Sequence, residues 1–521
     1  MLASKTAVHP DNDCTHQTAS GKPFWTWPTA VTLVLLMAGA AVLRFLFLVR
    51  KPFWFDECFS VEVARLSWHD FLRLAWWREA NMSLYYVLLR GWLHFGGSPF
   101  FIRSLSVLCS LATLPVIFWV ARKLFDRRVA LIAVALMSCN AYAIRYAQEA
   151  RSYSLFILLA TLSSGFFVQW LRNPSRRNRS GYILASVLAV YAHFYALLLI
   201  VAHWLSLRTI ESGGDPEARA DIRIGTRRAW IAIGLAVLPV LAFVGKTGAG
   251  LIRWIARPGF HDVRDFFEHL AGNGGWPLLL LYAAACLAAI LPVRSGLMKR
   301  GMGWEVWRLQ FLLLWLVFPI GLTLLLSLAR PVFLGRYFVF CLPALIILAA
   351  AGLANLRSPW MAAICLSTIL LASLQGTFSY YDHDFDLERD GSGAAANYIY
   401  DHAQSGDAIL FHIAEGRVPY EFFGSLRADD SRNWRAQGPE IIFPRHGERL
   451  DYRDVTGKPG GEFLHSAALQ YPRLWVVLMS NGSPGHPDAT TLMLSQILGE
   501  AYPKTESIRF PQVEVRVYER R

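Results

Sequence analysis

Between Pro28 and Phe378 the chain carries one long apolar run after another, separated by short clusters of arginine and lysine. A segment that crosses lipid must satisfy its own backbone polar groups, and one helical crossing takes about 20 residues. This alternation restricts the chain to a bundle of membrane-spanning helices. Composition agrees: 54% of the 521 residues are hydrophobic and 17% are charged, with a mean hydropathy of +0.34, too apolar for an ordinary soluble domain. The net charge of +13 lies largely in loops between apolar runs. It therefore reports orientation rather than nucleic-acid binding, and no nucleic-acid partner is expected. The seven cysteines are odd in number, mostly lie inside apolar runs and form no C-x-x-C pair, so neither a disulfide framework nor a zinc site is indicated.

The runs 28–49, 103–121, 129–144, 155–171, 230–244, 276–293, 309–329, 338–356 and 360–378 each read as a span. The stretch 182–207 reads as two short spans hinged at Tyr191–Tyr195, for a total of about 11. The first is read as an uncleaved span, not a signal peptide, because it is long and its lead-in is not strongly basic. The segments 61–77, rich in tryptophan, and 84–95, too short to cross, are expected to lie in the interface. The basic loops 122–128 and 172–179 are then an even number of crossings apart and both fit the cytoplasm. Asp56, Glu57 and Glu149–Arg151 fall on the opposite, outer face. The polar residues 1–26 form a cytoplasmic tail whose His9, Asp11, Asp13 and His16 match no metal-ligand spacing. Residues 246–275 resemble an amphipathic outer lid. From about residue 381 short apolar strands (408–413, 440–443, 474–479) alternate with helical stretches (394–404, 462–469, 490–498). The expected fold is thus an α-helical multispanning domain, 27–380, followed by an extracytoplasmic α/β domain, 381–521, with a partly parallel sheet.

Three outer clusters remain: Asp56-Glu57, Glu149 with Arg151, and Arg330 with Arg336; His193 is a candidate to join them, and Tyr153 and Tyr337 lie in the same motifs. Each has a plain structural reading. The acids at 56–57 suit a helix start, Glu149 and Arg151 an ion pair, Arg336 a snorkelling cation and His193 a satisfied core histidine. Their gathering on one face, by a topology derived from other residues, favours a joint functional reading. Arginines bind phosphate well where water is scarce, and a carboxylate takes a proton from a hydroxyl. A phosphate leaving group needs little protonation, so one base and several cations suffice for transfer from an anionic lipid donor. The acidic pair alternatively suits a divalent metal. A transporter or flippase of lipid-linked saccharides is the rival; it predicts acids and helix breaks near the midplane, whereas the charges here gather at one side.

Asp56-Glu57 after the first span, Tyr146–Tyr153, Tyr191–Tyr195 and Arg330–Tyr337 together resemble bacterial integral-membrane glycosyltransferases of the protein O-mannosyltransferase-like and aminoarabinose-transferase-like group of the GT-C superfamily. The resemblance covers roughly residues 28–380. It implies sugar transfer at the outer face of the cell membrane, from a polyprenyl-phosphate-linked donor to a cell-envelope glycan, lipid or protein. On that resemblance Asp56 matches the catalytic carboxylate that deprotonates the acceptor, and Glu57 its partner. Glu149 takes a second acidic position, and Arg336 matches a basic residue near the donor phosphate. Arg151, Tyr153 and His193 line the site. The His-Pro-Pro or Lys-Pro that the family places before its Leu-Tyr-Tyr segment is replaced here by Asn81-Met82-Ser83, so no donor contact carries over there.

Overall fold

A computed structural model describes residues 27–210, 216–247, 255–297, 303–383, 391–427, 438–444, 451, 455–479, 482–483 and 486–520; the expected tail 1–26 lies outside them. The helices are α1 (Trp27–Phe45), α2 (Phe55–Ala64), α3 (Trp68–Trp77), α4 (Ser83–Trp92), α5 (Pro99–Leu124), α6 (Arg127–Cys139), α7 (Ala141–Ala147), α8 (Tyr153–Arg172), α9 (Arg176–Ala192), α10 (Ala196–Ile210), α11 (Pro216–Ala236) and α12 (Leu238–Thr247). They continue with α13 (Phe260–Ala271), α14 (Gly275–Leu297), α15 (Trp304–Ala329), α16 (Leu342–Ala354) and α17 (Pro359–His383). Among the described residues six helices are long and apolar enough to cross a membrane, or up to nine spans if each of three bent helix pairs counts as one. The stretch expected to hold two further short spans forms the helices α9 and α10, neither of which is counted among these, so the described residues give six to nine spans where about eleven were expected. Helix α4, ten residues long, rises only about 15 Å. It is too short to cross and instead packs beside α2.

The bend between α6 and α7, 60°, follows from local chemistry. Asn140 ends α6 in an extended conformation and caps α7, its side chain accepting from Ala143 N–H at 3.0 Å. The carbonyls freed at the break are met by Arg44, fully buried on α1, which donates to Met137 O and Ser138 O at 3.2 and 3.0 Å and to Ser110 Oγ at 2.8 Å. A buried guanidinium here satisfies groups that lipid cannot. Helices α14 and α16 approach so closely at Gly352 that a Cβ there would stand 1.7 Å from Ala285 O; only glycine fits that crossing.

The C-terminal domain begins with α18 (Ser392–His402). Strand β1 (Ala408–Phe411), α19 (Arg417–Arg427), β2 (Glu440–Phe443), α20 (Gly461–Gln470) and β3 (Arg473–Met479) follow. Two-residue strands β4 (Gly482–Ser483) and β5 (His486–Pro487) precede α21 (Ala489–Ala501), β6 (Lys504–Phe510) and β7 (Val513–Glu519). The sheet order is β2-β1-β3-β7-β6. β1 runs parallel to β2 and β3, and β7 antiparallel to β3 and β6, so the sheet is partly parallel as the sequence suggests. Helix α19 rests on α2: Phe422 stacks on Phe53 with centroids 4.9 Å apart, and Arg65 donates to Ser425 Oγ at 2.9 Å. The domain is thereby seated directly on the helix that carries the acidic pair.

Candidate active site

Asp56 and Glu57 occupy the first turn of α2. Consecutive helical residues point about 100° apart, and the two carboxylates enter different surroundings. Glu57 is fully buried. Arg103 grips both its oxygens, Nε to Oε1 at 2.8 Å and Nη2 to Oε2 at 2.6 Å, and Ala150 N–H donates to Oε1 at 2.8 Å. The same guanidinium donates to Leu48 O, Lys51 O and Pro52 O at 2.8, 2.7 and 3.0 Å and lies over the Phe53 ring. The pair fastens the α1–α2 connection to α5 and to the turn before α8.

Asp56 faces a half-open cluster. Its Oδ2 is 3.4 Å from Arg336 Nη1 and 3.6 Å from Arg151 Nη2. These are ion-pair distances, and Oδ2 accepts no hydrogen bond from a described residue. Arg151 is steadied by the Asp56 carbonyl and Ser60 Oγ, both at 3.3 Å. Trp54 Nε1, Tyr86 Oη, Tyr153 Oη and His193 Nε2 are likewise buried without a hydrogen-bond partner among the described residues. Buried polar atoms are nearly always paired. So many orphans around one carboxylate and two guanidiniums mark a place built for a polar ligand.

His193 ends α9 and is 1% exposed. Its ring stacks on Phe156 and touches Tyr337, with centroids 5.1 and 4.7 Å away. Nδ1 accepts from Tyr195 N–H at 3.3 Å, so the ring proton resides on Nε2. Burial, with Arg151 and Arg336 adding to it, pushes the pKa down to about 3. His193 is therefore a neutral N–H donor, neither a cation nor a base.

Arg336 also lines a cavity of about 460 Å³ shared with Tyr142, Arg145, Tyr146, Arg257 and His269, opposed by Asp262 and Asp265. Its lining comes partly from α7 and partly from α13, which falls inside the stretch expected to form a lid. The connection between α3 and α4 carries Glu79, whose charge is felt by Arg151, Asp56 and Arg78. Glu415 of the C-terminal domain interacts electrostatically with Arg78 and Asp56.

Not every expected residue joins. Glu149 is buried against Lys51 at 2.8 Å and near Arg145 at 3.8 Å. Arg330 is exposed at the end of α15 and enters none of these pairs. No group of three His, Cys, Asp or Glu placed to hold a metal occurs among the described residues. Sequence reasoning passed over Arg103, Lys51, Arg145, Trp54, Tyr86 and Glu79. Arg103 had a usable signal, since a lone cation inside an apolar run implies a partner. Glu79 had none, because Arg78-Glu79 reads as an ordinary interface pair.

No family model matches the sequence, and neither does any curated protein. Solved structures do match by shape. ArnT from Cupriavidus metallidurans superposes in its apo state with a TM-score of 0.62 at 13% identity, covering 94% of this chain and 98% of that one. Bound to undecaprenyl phosphate, it superposes with a TM-score of 0.59 at 15% identity, covering 93% and 97%. The archaeal oligosaccharyltransferase AglB from Archaeoglobus fulgidus, in complex with an inhibitory peptide and a dolichol-phosphate, gives 0.53 at 10% identity, covering 86% of this chain and 69% of that one.

The chain has the GT-C fold.

The GT-C scaffold here is a multi-pass membrane protein with a small mixed α/β domain at its C-terminal end, and coverage of ArnT extends over both parts. At these identities the sequence alone does not align the functional groups. The Asp56 cluster is established by its own geometry.

Proposed function

We propose that the protein is a membrane glycosyltransferase that moves a hexosyl or pentosyl unit from a polyprenyl-phosphate-linked donor to an extracytoplasmic acceptor. The acceptor is a glycan, lipid or protein of the cell envelope. The observation that carries this reading is the convergence of Arg151 and Arg336 on one Asp56 oxygen, within 3.4–3.6 Å, among buried polar atoms without partners. Two guanidiniums at the edge of a membrane bundle suit a lipid phosphate, whose oxygens they meet bidentately. ArnT bound to undecaprenyl phosphate and AglB with a dolichol-phosphate, both of this fold, support a lipid-phosphate donor. In this reading the cell-membrane protein keeps its N-terminus in the cytoplasm. Asp56, the cavity and the C-terminal domain face outward.

The donor phosphate occupies the cationic side, against Arg336 and the cavity it shares with Arg145 and Arg257. His193 Nε2–H and the Tyr153 hydroxyl donate to the phosphate or the sugar, with Tyr337 walling the pocket. Asp56 faces the anomeric carbon from the other side and accepts a hydrogen bond from the acceptor hydroxyl. That oxygen attacks, the C1–O bond to phosphate breaks with its electron pair going to the phosphate, and configuration inverts. Glu57 and Glu149 act as anchors through Arg103 and Lys51. A flippase would need its charged groups along a path through the bundle; here they gather at the end that meets the C-terminal domain.

The test is release of polyprenyl phosphate from a set of polyprenyl-phosphate monosaccharides, by the protein and by Asp56→Asn, with membrane extract as acceptor. Release by the parent with a loss of roughly 10²–10⁴-fold in the variant supports the reading. Equal release by both removes Asp56 from the reaction. Lipid transport without release by the parent favours the flippase.

A further inference from the structure

The end of the bundle away from Asp56 brings three helices together. Arg103, which holds Glu57, lies near the start of α5, and Lys123 lies at its other end. At 1.5 Å per residue the two stand about 30 Å apart, the depth of the hydrocarbon core. There Arg172, in the last turn of α8, donates from Nη1 to Lys123 O at 2.5 Å. Arg308, early in α15, donates from Nη1 to Leu124 O at 3.2 Å. Two guanidiniums are thus drawn to consecutive carbonyls of one helix end. Arg172 lies over the Trp304 ring, 5.3 Å from its centroid, and Arg308 over Phe125 at 4.4 Å.

Capping the negative end of α5 is the plain reading of these bonds. It occupies one Nη1 of each arginine and leaves the charge unmatched. Neither Lys123 nor Arg172 forms an ion pair with a described residue, and Arg172 and Arg122 act on Lys123 as like charges. Arg308 has Glu305 at 3.8 Å, an acid that is mostly exposed, and its Nε is buried without a hydrogen-bond partner among the described residues. Asp126 caps α6 instead, accepting from Val129 N–H at 2.9 Å. Arg172 is exposed, so its remaining N–H groups reach the surroundings of the bundle.

A guanidinium fork suits phosphate oxygens, and basic pockets between transmembrane helices take anionic headgroups. Tryptophan favours the headgroup level, and Trp304 lies against Arg172. We propose that Lys123, Arg172 and Arg308 form a headgroup site for an anionic phospholipid, whose phosphate bridges Arg172 and Arg308 with Lys123 beside it. A bilayer delivers its own phospholipid to this depth, which free phosphate reaches only from the water. The bound lipid ties together the ends of α5, α8 and α15. None of these groups belongs to the Asp56 cluster, so the inference does not depend on the transferase reading.

The experiment uses the full-length protein in nanodiscs of phosphatidylcholine, with or without phosphatidylglycerol. Retained lipid is identified by native mass spectrometry, and Tm is measured in each bilayer. Phosphatidylglycerol should stay on the parent and raise its Tm by about 2 °C, as for a ligand at about 100 times its Kd on a chain this long. Arg172→Gln/Arg308→Gln should lose both the retained lipid and the Tm shift between the two bilayers. Taking the shift within each variant removes any loss that comes from the α5 carbonyls. Arg176→Gln/Arg177→Gln, at two exposed arginines that begin α9, should keep both. Equal losses in the two variants overturn the proposal in favour of attraction to a diffuse basic surface. So does a parent that retains no phosphatidylglycerol. So does an equal Tm rise from inorganic phosphate in phosphatidylcholine alone, which would make this an ion site. Arg172→Lys/Arg308→Lys keeps the charge and loses the fork, and it serves where the glutamine variant does not fold. It should retain the lipid about tenfold more weakly, and retention equal to that of the parent overturns the proposal.

Discussion

Removing Arg103 distinguishes a structural Glu57 from a catalytic one. Arg103→Met leaves Glu57, fully buried, with a charge and a single remaining donor, Ala150 N–H. Breaking one side of a buried ion pair costs about 3–5 kcal/mol, because the surviving charge is desolvated and uncompensated. The same substitution strips donors from the Leu48, Lys51 and Pro52 carbonyls, each worth about 1 kcal/mol. Adding Glu57→Gln removes the stranded charge but does not return those three bonds. The double variant should therefore recover the charge part of the loss and keep the carbonyl part, so that the double-mutant cycle yields a coupling of about 3 kcal/mol. Thermal unfolding in one fixed detergent reads this directly. At about 2.1 cal/mol/K of unfolding entropy per residue, 1 kcal/mol moves Tm by about 1 °C in a chain this long, so Arg103→Met, at about 6–8 kcal/mol, should lower it by roughly 5–8 °C. Donor turnover at a temperature where every variant is folded should fall far less in Glu57→Gln than in Asp56→Asn. If Glu57→Gln keeps the parental Tm but abolishes turnover, Glu57 belongs to the chemistry and the structural assignment is wrong.

Lys51→Met should behave in kind but cost less than the about 3–5 kcal/mol of a fully stranded charge, because Arg145 stays 3.8 Å from Glu149, with Lys51→Met/Glu149→Gln recovering much of the loss in the same thermal assay. His193→Phe keeps the ring on Phe156 and Tyr337 but removes the Nε2–H donor; turnover should drop by about 10–100-fold, equivalent to one hydrogen bond to a charged group, with Tm held within about 2 °C. Phe422→Ala deletes the stack on Phe53, a truncation of a buried side chain that costs about 3–5 kcal/mol; hydrogen exchange along α19 should become faster, and unchanged exchange would mean that α19 is held to α2 by other contacts.

The architecture was legible because the apolar runs set helix number and the basic loops set their order. For segment 84–95 length and the parity of the basic loops favoured an interfacial helix over a short second span, and α4 is ten residues long. The C-terminal strands at 408, 440 and 474 were visible as apolar islands, whereas the β6–β7 hairpin was not: β6, Lys504–Phe510, is largely exposed, and its polar alternation resembles a surface loop. The bend at Asn140 was hidden because a single asparagine in an apolar run does not announce a cap. Within the site, residue types pointed to Asp56, Arg151 and Arg336, but pairing is a property of three dimensions. Glu57 meets Arg103 across 46 positions and Glu149 meets Lys51 across 98. No local pattern separates an acid that is clamped from a neighbour that is free to react.

That separation follows from the cost of buried charge. The end of the bundle that meets the C-terminal domain brings at least four carboxylates and several cations into a small, poorly hydrated volume, and each uncompensated charge there is expensive. Two acids are neutralised by dedicated partners, Arg103 and Lys51, drawn from outside the cluster. Asp56 instead meets Arg151 and Arg336 at ion-pair distances of 3.4–3.6 Å, and its Oδ2 accepts no hydrogen bond from a described residue. Cations that meet their carboxylate only at ion-pair distance can turn toward an incoming phosphate without breaking a hydrogen bond to that carboxylate, whereas Arg103 and Lys51 would have to break one of 2.6–2.8 Å. Glu57 and Glu149 matter to the reaction because their clamps keep Arg103 and Lys51 occupied, so that the phosphate is met by Arg151 and Arg336. Weakening either clamp should therefore reduce donor binding as well as stability, by offering the phosphate a second cation in the wrong place.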